Sequence, residues 1–262
     1  MCTAFLRTPR LLSQGRTLLM LLALPLAVVH QVRAQKVIEE QEQTWFGYIN
    51  QSRVTDRSGV WVDLHLRLTD HYLNRKTMVL TRAAYIFYLH EHVRFMAGYT
   101  YAHRYDRSGS GRIPEHRPWQ QVQWIERKKG FDLVQAFRVE QRFRKSVDDR
   151  LDADSYIFNW RFRYNIAFTI PLRGKTLTPK TPYLFVSNEV NVNAGKSIVN
   201  NYFDQNRTFI GLGYQFTPNM HANLGPLFIF QQSPEPGHYN HTHAIRLYVF
   251  HTIDLRQTRK ED

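Results

Sequence analysis

The chain has 262 residues, with 35 Lys and Arg against 22 Asp and Glu, a net charge of +13 and a single cysteine. That lone cysteine, Cys2, excludes an internal disulfide and any multi-cysteine metal site. Beyond residue 35 charged side chains interrupt every hydrophobic segment, and no apolar run reaches the roughly 20 residues that a membrane-crossing helix needs. A membrane is therefore crossed by strands if at all.

Residues 1–34 read as a secretory signal peptide. Arg7, Arg10 and Arg16 form a basic leader, 17–29 is an apolar stretch broken only by Pro25, and Val32 and Ala34 supply the small residues before a cleavage expected after Ala34. Residues 35–43 follow as a short N-terminal segment, and 44–262 as a single barrel domain, since no low-complexity linker divides them. A basic, aromatic chain first suggests nucleic acid, but export argues against that partner. The arginines are also spread along alternating segments, which fits a basic interior or rim.

From residue 44 onward the recurring pattern is period-two alternation, the strand signal. After a strand at 44–51, the clearest case is 60–69, where Val60, Val62, Leu64, Leu66 and Leu68 share one face and Trp61, Asp63, His65 and Arg67 the other. Strands follow at 77–89, 92–105 and 117–127. In 130–144 Phe131, Leu133, Phe137, Val139 and Phe143 oppose Asp132, Arg138, Glu140, Arg142 and Arg144. In 159–169 Trp160, Phe162, Tyr164, Ile166 and Phe168 oppose Asn159, Arg161, Arg163 and Asn165. In 183–194 Leu184, Val186, Val190 and Val192 oppose Ser187, Glu189, Asn191 and Asn193, and further strands are expected at 202–216, 219–231 and 243–255.

Short links near 90, at 128–130 and at 217–219 alternate with longer polar ones at 106–116, 145–154, 195–201 and 233–241. That asymmetry matches the tight periplasmic turns and longer external loops of an outer-membrane barrel, with 173–181 as a misfit. The segments number eleven, whereas a bacterial barrel with both termini in the periplasm needs an even count. The expectation is an all-β, antiparallel transmembrane β-barrel of 10 to 12 strands, twelve being preferred through a crossing hidden in one segment; ten would follow if 44–51 lay outside the wall. A soluble periplasmic β-sandwich is the alternative, because it alternates in the same way.

In a barrel, Arg138, Glu140, Arg142, Arg161, Arg163 and Glu189 would project into one interior as a lumenal polar network. Trp45, Tyr72, Tyr101, Trp119, Trp124, Tyr156 and Tyr248, near strand ends, are candidates for aromatic girdles. His238, His241 and His243 are of a type that binds zinc or copper. No carboxylate or thiolate lies between them in sequence, so they read as an external loop, with no metal and no cofactor assigned. Asp63 with His65, and Ser187 with Glu189, are suitable types for catalysis, but residues two apart on one strand point the same way without forming a triad. No catalytic residues are assigned.

The Trp45-containing strand, the run Arg138-Val139-Glu140-Gln141-Arg142, and Arg161-Phe162-Arg163-Tyr164 followed by a strand bearing Glu189 are similar to the bacterial outer-membrane-type family catalogued as domain of unknown function 2490. The resemblance spans residues 44–255. It implies a barrel and carries no known activity or catalytic residues. The ending, 255–262, departs from the terminal phenylalanine by which many barrels are recognised for insertion. The expected protein is an outer-membrane barrel with a charged Arg/Glu lumen, structural or passive, with an anion-biased pore or a lipid-modifying membrane enzyme as alternatives. Its expected partners are outer-membrane lipid, the barrel-insertion machinery and small anions.

Overall fold

A computed structural model describes residues 36–106, 111–146, 155–198, 202–233 and 235–256. The segment 1–34 expected to be a signal peptide, the terminal run 257–262, and parts of the long polar links lie outside the described residues. The described chain forms eleven strands: β1 (Val37–Arg53), β2 (Ser58–Thr69), β3 (Arg75–Tyr88), β4 (Val93–Tyr105), β5 (Arg112–Lys128), β6 (Phe131–Lys145), β7 (Tyr156–Pro171), β8 (Thr181–Ala194), β9 (Phe203–Thr217), β10 (Met220–Gln232) and β11 (His238–Asp254). They close into one barrel in chain order.

The even-number expectation does not hold among the described residues. Each strand pairs antiparallel with the next, but β1 meets β11 in parallel, from Val37 against His238 to Arg53 against Asp254. A parallel closure removes the need for paired strand directions, so neither a hidden twelfth crossing nor the loss of 44–51 from the wall is required. One consequence is that β1 starts at the end of the barrel bearing the links 70–74, 106–111, 146–155, 195–202 and 233–237. By contrast, β11 finishes at the end bearing 54–57, 89–92, 129–130, 172–180 and 218–219.

Two boundaries also move. The segment 35–43, set apart on sequence, is mostly wall, because β1 begins at Val37. Its polar run lacks apolar alternation, yet the backbone ladder to β11 makes it strand. For the same reason β11 starts at His238 instead of 243.

The pleat then sorts the side chains. On β2, Leu64 is 52 % exposed on the outside while Asp63 is 0 % exposed inside. Val60, Val62, Phe137, Phe143, Phe158, Trp160, Tyr164, Val190, Val192, Leu212 and Phe228 likewise face outward. A soluble sandwich buries its apolar face; this barrel displays it and encloses the charges, so the sandwich alternative is excluded. Tyr101 and Tyr156 belong to the outer surface, but Trp45, Trp119 and Tyr248 do not join an outer girdle. Trp45 packs with Phe209, Leu227, Ile229 and Ala244 inside, with Tyr248 against them, and Trp119 with Ala84, Ile86 and Met96. Their indole and phenol rings fill lumen that arginines alone would leave open.

Candidate functional site

Alternation along β6, β7 and β8 turns Arg138, Glu140, Arg142, Arg161, Arg163 and Glu189 inward, and the antiparallel register sets Glu140 opposite Arg161 and Arg138 opposite Arg163. Glu140, 1 % exposed, accepts from Arg163 Nη1 at 2.6 Å, with Arg138 at 3.7 Å and Arg161 at 4.0 Å. The other guanidinium arm, Arg163 Nη2, donates to Glu189 at 2.6 Å, and Arg207 of β9 reaches the same carboxylate at 2.9 Å. Arg161 continues to Asp204 at 2.7 Å. Five of the six side chains thus lie in one contiguous run.

Arg142 goes elsewhere. Its Nε donates to Glu115 of β5 at 2.6 Å, where Arg117 at 2.7 Å and Arg104 at 3.6 Å complete a second cluster. A third is centred on Asp63, which accepts from Arg82 Nε at 2.8 Å and Trp61 Nε1 at 2.5 Å and meets His65 at 3.2 Å.

Glu115, Arg117, Asp204 and Arg207 escaped the sequence reading for two local reasons. On β5 the face opposite Glu115 and Arg117 carries Pro114, His116 and Pro118 in place of large apolar residues, so no alternation announces a strand there. On β9 a register shift opposite Asn191 and Val192 buries both Asp204 and Gln205, which breaks period-two logic.

Arginine exceeds carboxylate in this lumen. Among the described residues neither Arg67 nor Arg246 meets a carboxylate. The Arg67 guanidinium lies 3.5 Å from the Trp45 ring centre, with Arg207 5.2 Å from the same ring, and Arg246 lies 3.2 Å from that of Phe209. The aromatic faces take the place of anions, at roughly 0.5–2 kcal/mol each. Buried Nε atoms of Arg67, Arg117 and Arg246 have no hydrogen-bond partner among the described residues. A donor in that condition is costly unless something fills it.

The described residues enclose two cavities in the interior. One of about 590 Å³ opens toward the end with links 195–202 and 233–237, touching Arg104, Arg142, Arg144 and Asp204. The other, about 250 Å³, lies toward the opposite end, touching Trp61, Arg82, Gln123, Glu189 and Phe250. Arg67, Arg117, Arg161 and Arg207 line both, so the waist between the two spaces is cationic on several sides.

An apolar exterior, a closed strand wall and an ion-paired interior define a transmembrane-type β-barrel. The chain belongs to the family of proteins of unknown function DUF2490, which matches it over residues 42–240. Among solved structures the NanC porin, in a rhombohedral crystal form, is similar with a TM-score of 0.41 and 10% identity, over 72% of this chain and 87% of that one. No curated protein matches the chain.

Proposed function

We propose that the mature protein, released from its leader after Ala34, resides in the bacterial outer membrane, where its lumen admits small anions. One observation carries this reading: the waist shared by the two cavities is lined by Arg67, Arg117, Arg161 and Arg207, of which Arg67 and Arg117 keep a buried Nε donor with no partner among the described residues. Rings of arginine select anions because they replace part of the ion's hydration and repel cations. The engaged part of the network, Glu140 and Glu189 with Arg161, Arg163 and Arg207, has the complementary task of holding the wall rigid.

Planar-bilayer recording under a salt gradient tests the reading. The expected result is a reversal potential on the anion side that moves toward zero in Arg67→Gln. Cation preference in a correctly inserted barrel would overturn it. Absence of conductance would leave the second reading, a structural barrel braced by its ion pairs, which the tight Glu140 and Glu115 clusters favour.

A further inference from the structure

We propose that Glu40, His241 and His243 form a binding site for a divalent transition ion of the zinc or copper kind, on the outer surface of the seam that closes the barrel. The site is independent of the lumen and of any conduction through it. It arises from the parallel register, which places Glu40 beside His241 and Glu42 beside His243. The even positions of β1 and the odd positions of β11 face outward here, so these side chains share one surface.

The geometry fits a metal. His241 Nδ1 lies 3.2 Å from Glu40 Oε1, His243 Nε2 lies 3.1 Å from Glu40 Oε2, and the three donor groups fall within 4.8 Å of one another. Ligand atoms bound tetrahedrally at 2.0–2.1 Å stand about 3.3 Å apart, so little movement is needed to admit an ion. Two imidazoles and a carboxylate suit zinc and copper, and leave a further position for water. The groups are partly exposed and thus reachable. They are also braced: the imidazole rings sit 4.4 Å apart, and Phe228 packs edge-on against His243 at 5.7 Å.

Position gives the site a task. The ladder of β1 to β2 begins only at Gln43 with Thr69, and the Thr69 hydroxyl donates to the Glu42 carbonyl at 2.6 Å, so among the described residues Val37 to Gln41 is paired on one side alone, by β11. That seam is parallel, the slightly weaker mode of pairing per residue. An ion bridging Glu40 to His241 and His243 would clamp β1 to β11 where β1 has no second neighbour.

Zinc titration of the untagged, refolded full barrel in detergent tests this, with cobalt absorption reporting the ligand field. One zinc per chain is expected at micromolar affinity or better, together with a zinc-induced rise in the thermal midpoint. Glu40→Gln and His241→Gln with His243→Gln should each weaken binding by more than about tenfold, a loss already reached when only an outer-shell partner is removed, and should abolish the thermal shift. His238→Gln, outside the trio, should change neither. Heat-modifiable gel mobility verifies that each variant is folded. No stoichiometric zinc on the wild type, or equal binding by the folded double histidine variant, overturns the site; binding without a thermal shift overturns the clamp.

Discussion

Glu140 is the residue on which the lumenal run turns, because three guanidiniums converge on it while almost none of its surface is exposed. Glu140→Gln removes the charge but keeps the shape, leaving Arg138, Arg161 and Arg163 to repel one another. The expected loss is roughly 3–5 kcal/mol if the site is dry, the usual result of removing one partner from a buried pair. By comparison, the exposed pair Lys128 and Glu126 at 3.4 Å is worth about 0–1 kcal/mol. Urea unfolding of Glu140→Gln beside Glu126→Gln measures the difference; equal losses would mean that lumenal water screens Glu140 as bulk solvent does. Arg67→Gln should behave differently: with no carboxylate partner among the described residues, Arg67 gives up a cation–π contact and relieves repulsion from Arg207 at once, so little stability is lost. Period-two spacing placed the inward side chains of β6, β7 and β8 on one face. It was silent on which acid each arginine would meet, since Arg142 chooses Glu115 across a ladder to a proline-interrupted strand.

At the scale of strands, spacing locates the centre of each element well and its ends poorly. A ladder continues as long as a neighbour offers backbone groups, whatever the side chains, which is why β1 extends through Glu39–Gln43 and β11 through His238–Thr242. The carboxylate beside His241 was invisible for the same reason: Glu40 lies 201 residues away and is joined to it only by the closing register. Strand packing inside the barrel also depends on a missing side chain. Tyr183, fully buried on β8, lies across Gly213 of β9 so closely that a Cβ there would collide with the phenol ring. The ring has little room to withdraw, because its hydroxyl is bonded to His221 Nδ1 at 2.7 Å and donates to the Ala222 carbonyl at 3.1 Å. Gly213→Ala should therefore cost about 1–3 kcal/mol, the range for an added methyl in a filled interior. A thermal midpoint unchanged from wild type would show that β8 and β9 separate more readily than this packing implies.

For the whole molecule, the inversion of apolar outside and charged inside is what ties fold to environment. In water the outward rows of leucine, valine and aromatic side chains would be an aggregation surface; in a bilayer they are the solvated face, while the arginines find carboxylates and aromatic rings within. Leu64 tests this balance directly, as it sits outward between Asp63 and His65, both buried in the lumen on the same strand. An arginine at position 64 would have to meet hydrocarbon or pull toward a headgroup. The expected penalty on folding into lipid vesicles is roughly 2–4 kcal/mol if the position lies near the midplane, falling to about 0–1 near an interface. Folding into vesicles, followed by the heat-modifiable shift on a gel, reads the fraction inserted. Leu64→Ala controls for the loss of side-chain area alone and should insert nearly as well as wild type. If Leu64→Arg inserted as efficiently as Leu64→Ala, the outward face of β2 would not be in contact with lipid, and the barrel would have to cover that face with protein.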